Sequence, residues 1–414
     1  MDRFDELIAD SGQSVAYMVR EITHICRDMK SRAPGSDGER EAAEYMAGIL
    51  RDECGCRDVK TESFTEHPDA FYGYFYFSVC FDLLSAVSFF LKPWLSLLFG
   101  ACALLLFLIQ FVFYRQLIDP LFPEKRSVNV TALRPCEGEL RQRIFLNGHV
   151  DAAWEFPLNY HFGGVVFEIP GVMALTGVIY YMALALCAMI SGADWTHTAA
   201  LWGLIFVPFF ILLAAIYDPR LIVDGANDNL SGCYMGIALL REMEKRGIKP
   251  EHTELGVILT GSEEAGLRGA KAWCRAHKDD YKDVPTYIIC FDTIHDPEYL
   301  MVNRRDLNGT VFSDRELADS FMEAAREAGV PCKKGRVPLF GGGTDNAAFT
   351  QGGFRSMAVT GLNHRLEDYY HTRRDSWDNL NEQGLENCYR ATATLIKTMD
   401  DRLRDGHVEA RPRQ

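Results

Sequence analysis

The stretch that decides the fold of this chain is residues 223–232, Val-Asp-Gly-Ala-Asn-Asp-Asn-Leu-Ser-Gly. It is small and turn-forming at its start, and it runs directly into an apolar, helix-compatible segment at residues 233–241. Gly225 relaxes the limits on the backbone, and a helix start supplies unpaired N–H groups, so this junction can hold the carboxylate of Asp228 rigidly. An Asp before a helix is commonly only a cap. The role of Asp228 therefore depends on polar residues elsewhere in the chain.

Composition limits the class of protein. The chain has 414 residues and a net charge of −14, which is enough length for one large or two ordinary domains. The acidic balance argues against nucleic acid as a partner, because phosphate binding needs clustered Lys and Arg. The 12 Cys show no paired spacing and the first residues lack the apolar core of a signal peptide. Together these features predict a reducing, cytoplasmic setting for the soluble part.

Two blocks of sequence have the composition of membrane-spanning segments. The first holds apolar runs at residues 74–91 and 94–114, and the second holds runs at residues 171–190 and 199–217. Each run is about as long as a hydrocarbon core of ~30 Å requires, and aromatic residues crowd the ends of the first block as they do at membrane interfaces. We predict two transmembrane hairpins, at residues 71–116 and 171–217. Buried core helices or an apolar dimer surface are the alternative.

Flanking charges predict the orientation of these hairpins. The basic residues on the soluble side are Arg115, Lys125, Arg126 and Arg220, whereas the two hairpin turns hold only Lys92. Because cytoplasmic loops are enriched in Lys and Arg, the pattern predicts an integral membrane protein with four crossings and a cytoplasmic soluble domain. Asp82, inside the first crossing, is costly in lipid, so it either faces a partner helix or water, or lies near the interface.

Outside the hairpins, strands alternate with helices. Strands are predicted at residues 59–64, 127–133, 143–146, 255–260, 287–291 and 356–360, and the main helices at residues 14–30, 39–52, 233–241, 314–328 and 381–402. This alternation predicts an α/β fold with a mixed, mostly parallel central sheet and helices on both faces. The soluble domain would then be discontinuous, formed by residues 1–70, 117–170 and 218–414.

Candidate metal ligands lie at strand ends and in loops. In chain order they are an H-x-D pair at a strand end, two adjacent acids after a strand, an acid ending the next strand and a late loop histidine: His149, Asp151, Glu263, Glu264, Asp292 and His371. The carboxyl ends of parallel strands converge on one crevice. Nitrogen and carboxylate ligands without a thiolate suit a hydrolytic zinc site or a pair of metals. Two adjacent divalent ions would need a bridging carboxylate.

The order of these motifs resembles the M28 family of zinc aminopeptidases. The motifs are H-x-D, then G-A-N-D-N-x-S-G, then E-E-x-G-L-x-G, then a strand-end Asp, then Y-H-T-x-x-D. Residues 32–36, Arg-Ala-Pro-Gly-Ser, with the Glu- and Ala-rich helix behind them, are similar to that family's N-terminus. The similarity covers residues of about 14–66, 127–155 and 220–402. It implies a zinc-exopeptidase-like fold, aminopeptidase activity on peptides and two zinc ions as cofactors.

The resemblance also implies a role for each ligand. His149 and Asp292 would bind one zinc ion, and Glu264 and His371 would bind the other. Asp228 would bridge the two ions, with a cis peptide bond to the next residue.

The remaining implied roles concern catalysis and substrate. Asp151 would orient His149, and Glu263 would be the general base. Substrate contacts are assigned to four further residues, Asn229, Thr344, Asp345 and Asn346. Asn346 departs from the family pattern, because many relatives carry S-D-H where this chain has Thr-Asp-Asn.

The sequence leaves three classes of function open. The first is a membrane-anchored dizinc aminopeptidase that hydrolyses N-terminal residues from peptides, with apolar peptides favoured if the site lies against the bilayer. The second is a one-zinc, glutaminyl-cyclase-like enzyme or another amide hydrolase. The third is a non-catalytic membrane module that retains the fold. The intact Glu263–Glu264 pair and Asp228 favour the first. The sequence does not indicate an oligomeric state.

Overall fold

A computed structural model describes residues 3–338, 341–363 and 368–404 of the chain. Twelve strands occur in this part: β1 Asp58–Glu66, β2 Lys125–Arg134, β3 Gln142–His149, β4 Trp154–Glu155, β5 Asp218–Ile222, β6 Thr253–Thr260, β7 Thr286–Ile294, β8 Leu300–Asn303, β9 Arg305–Asp306, β10 Val311–Phe312, β11 Lys333–Gly335 and β12 Arg355–Gly361. Eight of them form one sheet in the order β1-β2-β6-β3-β7-β12-β8-β11.

The sheet is mixed and mostly parallel, which confirms the predicted fold class. Strands β6, β3, β7 and β12 form a parallel centre. Strands β1 and β2 pair antiparallel with their neighbours, whereas β8 is antiparallel to β12 and parallel to β11. Every residue of β3 is buried, as expected for a strand covered on both faces. Because β3 and β6 are in register from Gln142 opposite Thr253 to His149 opposite Thr260, their carboxyl ends finish side by side.

Fourteen α-helices surround the sheet in the described residues. They are α1 Arg3–Ala9, α2 Ser11–Asp28, α3 Asp37–Glu53, α4 Ala70–Phe89, α5 Pro93–Phe107, α6 Pro157–Phe162, α7 Gly164–Ser191, α8 Trp195–Trp202, α9 Val207–Leu212, α10 Ser231–Lys245, α11 Arg268–His277, α12 Arg315–Glu327, α13 Asp345–Gln351 and α14 Glu382–Arg404. Helix α3 is preceded by Ser36, whose hydroxyl accepts the Glu39 N–H at 3.2 Å. Ser36 is therefore the N-cap of α3.

Four helical segments are long and apolar enough to cross a membrane. They are Ala70–Phe89, Pro93–Val112, Gly164–Ser191 and Trp195–Ala215. The third begins seven residues before the predicted run at residue 171, because α7 continues through Glu168 and Pro170, which interrupt the apolar pattern but not the helix. The second ends in a π-helical turn, Leu108–Val112.

Each pair of these segments is inserted between two strands that lie side by side. The first pair lies between β1 and β2, where Glu66 is opposite Lys125. The second lies between β4 and β5, where Glu155 is opposite Asp218. The chain therefore returns to the strand beside the one it left. This geometry requires an even number of crossings if the segments span a bilayer.

Polar groups of the first inserted pair face inward. Asp82 is only 2% exposed, which places it inside the helix bundle rather than on the outer surface. One turn further on, the Ser85 hydroxyl donates to the Ser96 carbonyl at 2.9 Å. Side chains of this kind are tolerated in membrane helices when they face other helices.

The first inserted pair is packed on the turn that carries Glu263 and Glu264. Phe71 lies so close to Gly266 that a Cβ added there would be 2.8 Å from the Phe71 ring, and Gly266 has a φ of +95°. The Lys271 ammonium donates to the carbonyls of Tyr114 at 2.7 Å and Gly266 at 2.8 Å. Both ends of this pair therefore contact one short turn.

We expect Gly266→Ala to lower the free energy of unfolding by about 2–4 kcal/mol, because it adds overpacking against Phe71 to the cost of a positive φ. Thermal melting in detergent measures the loss. The matched control is Gly353→Ala, where φ is +90° and nothing lies within 4 Å of the added Cβ, so only ~1 kcal/mol is expected. Equal losses in the two variants would show that the Phe71 contact contributes nothing.

Candidate metal centre

The carboxyl edge of the sheet brings the predicted ligands together. His149 ends β3 and Asp292 lies near the end of β7, while Glu263 and Glu264 follow β6. Three groups each place their ligand atoms within 4.8 Å of one another: His149 with Asp228 and Asp292, Asp228 with Glu264 and His371, and His149 with Glu263 and Glu264. The first two groups are the two ligand sets that the resemblance implied.

The Asp228 carboxylate lies between two histidines. Its Oδ1 is 3.1 Å from His149 Nε2, and its Oδ2 is 3.3 Å from His371 Nε2. Glu264 Oε1 lies 3.2 Å from the same His371 nitrogen. Because each oxygen of Asp228 faces a different histidine, the carboxylate has the placement that a bridge between two cations needs.

The loop that carries Asp228 is held from two directions. Gly225 takes a left-handed conformation with a φ of 62°, and the peptide bond from Asp228 to Asn229 is cis, as the resemblance implied. Asp375 accepts the N–H groups of Asn227 at 2.8 Å and Asp228 at 3.1 Å. These bonds fix the backbone that leads into the proposed bridge.

Arg32 ties the same loop to β3. Its guanidinium donates to the carbonyl of Val150 at 2.8 Å and to that of Asp224 at 2.7 Å. Sequence reasoning gave no role to Arg32 or to Asp375. Both residues lie within motifs that carry the family resemblance. Their membership of those motifs was the one sequence signal that could have indicated a role.

Asp151 does more than orient His149. The His149 Nδ1 lies 3.2 Å from the Asp151 carbonyl and 3.5 Å from its carboxylate. The two carboxylate oxygens also accept the N–H groups of Glu263 at 2.9 Å and Glu264 at 3.0 Å. One side chain therefore fixes both the H-x-D strand end and the pair of acids opposite.

Three of the predicted substrate contacts take part in internal hydrogen bonds. The Thr344 hydroxyl and the Asn346 amide donate to Asp306 at 2.7 and 2.8 Å. The Asn229 amide donates to the Phe291 carbonyl at 2.8 Å. Asn346 thus stabilises the glycine loop through a buried carboxylate, Asp306, for which the sequence offered no signal.

Asp345 completes the predicted substrate set and lies deeper than a surface contact. It is 3% exposed and accepts a hydrogen bond from the Thr260 hydroxyl. Burial raises the pKa of Asp345 to about 6. Its predicted role in substrate binding stays a prediction.

Negative charge dominates the electrostatics of the centre. Burial raises the pKa of Glu263 well above its usual value, and the neighbouring Glu264 and Asp292 raise it further. Burial also raises the pKa of Asp292, with Asp228 adding to the effect. Burial opposes protonation of His371, but Glu264 and Asp228 outweigh it and bring the pKa of His371 to about 10. The centre therefore favours the binding of positive charge.

The donor atoms themselves fit a metal. Four buried atoms of the proposed ligands make no hydrogen bond of normal geometry among the described residues: His149 Nε2, Asp228 Oδ1, Glu264 Oε1 and His371 Nδ1. Buried polar atoms are normally satisfied, so such orphans call for an explanation. All four belong to residues that the resemblance assigns to metal binding, and imidazole with carboxylate is a donor set that zinc accepts. The residues present thus fit one or more zinc ions.

Behind the Glu263 turn lies a buried carboxyl, Glu66, which accepts a hydrogen bond from the Ser262 hydroxyl. Burial raises the pKa of Glu66 from 4.5 to about 8. An acid whose pKa is raised on folding stabilises the fold at low pH, and this contribution is lost as pH rises from about 4.5 to about 8.

We expect Glu66→Gln to make the zinc-free protein less sensitive to pH. Between pH 5 and 8 the unchanged chain should lose ~3–5 kcal/mol of stability through this group, and the variant should not. Melting temperatures of both proteins in detergent, compared across that range, measure the difference. Parallel curves for the two proteins would contradict the prediction.

Comparison with known proteins agrees with this geometry. Residues 208–396 match the sequence model of Peptidase family M28, a range that includes Asp228, Glu263, Glu264, Asp292 and His371. No curated protein sequence matches the chain.

Solved structures show the same fold at low sequence identity. A zinc aminopeptidase of Bacillus subtilis, BSAP, has a TM-score of 0.56 and 12% identity over 93% of this chain and 95% of its own. The LapA aminopeptidase of Legionella pneumophila has a TM-score of 0.54 and 11% identity over 95% of this chain and 75% of its own. A glutaminyl cyclase of Bacteroides thetaiotaomicron has a TM-score of 0.53 and 12% identity over 93% of this chain and 97% of its own.

The matched range carries four of the five predicted motifs in their predicted order, beginning with the loop of Asp228. The described chain also carries the fold of the zinc aminopeptidase structures. The resemblance drawn from the motifs is therefore confirmed: residues 208–396 match peptidase family M28, and the fold is that of the zinc aminopeptidase structures.

Proposed function

We propose that the chain is a membrane-anchored dizinc aminopeptidase. The observation that carries the proposal is the Asp228 carboxylate between His149 and His371, with one oxygen 3.1 Å from one ring and the other 3.3 Å from the second. In this assignment His149 and Asp292 hold one ion, and Glu264 and His371 hold the other. When bound, the ions would polarise the scissile carbonyl and lower the pKa of water.

Charge balance favours two ions over one. Asp228, Glu263, Glu264 and Asp292 place four carboxylates in three overlapping groups, with only Asp292 partly exposed. Burying unpaired charge is costly, so four carboxylates require compensation by cations or by protons. Two divalent ions would neutralise the cluster fully, whereas one would leave two negative charges.

Glu263 is the proposed general base. Its Oε2 lies 3.8 Å from His149 Nε2, at the edge of the ligand cluster, and its backbone is fixed by Asp151. From this position the carboxylate would accept a proton from the attacking water and return it to the leaving amine. The adjacent Glu264 points to His371, so the two acids divide the tasks of base and ligand.

The enclosure of the centre favours action at a chain end. His149, Asp228 and Glu263 are 1%, 3% and 7% exposed. A terminal residue can enter such a site, whereas the middle of a long chain would have to displace much of the surrounding structure. The first inserted pair packs on the turn that carries Glu263 and Glu264, through Phe71 against Gly266, which supports the prediction that apolar peptides are favoured. Equal turnover of polar and apolar peptides, in both detergent and bilayers, would count against that preference.

For the membrane we propose four crossings and a cytoplasmic catalytic domain, discontinuous over residues 1–70, 117–170 and 218–414. The basic residues beside the inserted segments support this orientation. Green fluorescent protein fused to Met1 should fluoresce in a bacterial host, because that reporter folds in the cytoplasm. Activity of a fused alkaline phosphatase, without fluorescence of the other fusion, would place the domain outside.

One experiment separates the proposed function from its alternative. Purified protein in detergent should contain about two zinc ions per chain and release N-terminal residues from aminoacyl reporter peptides. A count near one, with cyclisation of N-terminal glutamine and no peptide hydrolysis, would favour the glutaminyl-cyclase-like function, which shares this fold. Neither activity on a zinc-loaded protein would favour a non-catalytic module.

A further inference from the structure

The loop that carries His371 is held by a segment outside the family motifs. This segment, residues 154–160, leaves the H-x-D strand end and leads into the membrane helix α7. We call it the hairpin root. It contacts the His371 loop at three successive points, and none of these contacts was foreseen from the sequence.

The first contact is an ion pair. Glu155, which is 2% exposed, accepts from the Arg373 guanidinium at 2.7 and 2.6 Å and from the Arg373 N–H at 3.2 Å. A bidentate pair of this kind fixes orientation as well as distance. It anchors the loop two residues after His371.

The second and third contacts hold the loop at and before the histidine. The Phe156 N–H donates to the His371 carbonyl at 2.8 Å, and the two rings lie 4.5 Å apart. The Asn159 amide donates to the Tyr370 carbonyl at 2.8 Å. Three successive parts of the loop are therefore bonded to the root.

His371 needs such support because of its backbone. Its φ is +50°, a left-handed conformation that costs a non-glycine residue about 1–3 kcal/mol and persists only where surrounding contacts impose it. The root supplies those contacts. Without them the loop would relax, and the imidazole would move relative to Asp228 and Glu264.

The root is itself joined to the membrane segments. Phe156 stacks on Phe167 of α7 with ring centroids 4.6 Å apart. The Trp154 ring meets the rings of Tyr72 and Tyr217 edge-on, with centroids 5.7 and 6.2 Å apart. The support of His371 is thus continuous with both inserted segments.

We propose that Glu155, Phe156 and Asn159 are positioning residues for His371 and set the affinity of the metal ion that His371 holds. The inference rests on the proposed metal role of His371. It extends the proposed function by assigning part of the metal centre to a segment that connects to the membrane.

The test measures zinc affinity in detergent by competition with a chelator, so it does not depend on turnover. Glu155→Gln and Asn159→Ala should each lower the affinity for one of the two zinc ions by about 10- to 100-fold and leave the affinity for the other unchanged. A loss of this size is typical when a contact that supports a metal ligand is removed. Arg373→Gln should have the same effect as Glu155→Gln, and the double variant should add little, because both changes break one ion pair. Arg220→Gln, an exposed arginine on β5, is the matched control.

The outcomes separate this inference from the function on which it rests. Unchanged zinc affinity in both Glu155→Gln and Asn159→Ala would overturn the inference if His371→Ala loses one ion. If His371→Ala itself keeps both ions, the proposed function fails instead. A general loss of folding would lower the melting temperature and the affinity for both zinc ions together. That result would also overturn a specific positioning role.

Discussion

Replacing Glu263 by Gln should lower kcat by about 10³-fold, or ~4 kcal/mol in the activation barrier, while the zinc content stays unchanged. The amide keeps the size and burial of the carboxylate but cannot accept a proton at neutral pH. The backbone N–H of residue 263 would still reach Asp151. The geometry of the centre should therefore survive while the proton transfer is lost. Turnover of an aminoacyl reporter, with zinc measured on the same sample, gives both quantities.

The control for this change is Glu298→Gln, which makes the same chemical substitution on an exposed 3-10 turn, Pro297–Tyr299. Activity within two-fold of the unchanged protein is expected there. If Glu263→Gln keeps full activity with two zinc ions bound, Glu263 is not the base. If the variant loses a zinc ion instead, Glu263 is a metal ligand. Its position within 4.8 Å of ligand atoms of His149 and Glu264 would be consistent with that role.

Replacing Asp228 by Asn should have the largest effect in the molecule. The two carboxylate oxygens face different histidines, and an amide offers only one acceptor oxygen and no negative charge. We expect zinc to fall from about two ions per chain to one or fewer, and activity to fall by ~10⁴-fold, since both the bridge and the orientation of the ions are lost. Elemental analysis and the reporter assay measure the two effects.

Asp224→Asn is the matched control because Asp224 lies in the same loop, and Arg32 contacts its carbonyl rather than its side chain. It should keep both ions and near-normal activity. If the Asp228→Asn variant still binds two zinc ions tightly, Asp228 does not bridge them. Size-exclusion behaviour in detergent distinguishes a local loss of metal from unfolding.

Much of the fold followed from the sequence because its signals are local. Long buried strands such as β6 and helices such as α3 have periodic patterns and recognisable ends, and each was predicted within a few residues. The short strands β4, β5, β8 and β11 were missed because two to five residues carry no period. The early start of α7 was missed because Glu168 and Pro170 interrupt the apolar pattern of the sequence near the start of the helix.

The candidate ligands were also accessible from sequence. The order and spacing of the motifs identify them even though 78 residues separate His149 from Asp228 and a long apolar block lies between them. The structure brings His149, Asp228, Glu263, Glu264 and His371 together, with Asp292 beside them. Their roles remain predictions that the substitutions above test.

The sequence by itself thus determined the resemblance to family M28, the mostly parallel sheet, the apolar segments and the ligand types. Only the tertiary structure decided what holds those ligands in place. Asp151 fixes Glu263 and Glu264, Asp375 fixes the loop of Asp228, and Glu155 anchors the loop of His371. The physical reason is that such hydrogen bonds join residues more than 100 positions apart and need angles and distances that no local pattern encodes. A chain's motifs specify which atoms can bind a metal, whereas its packing specifies where those atoms lie.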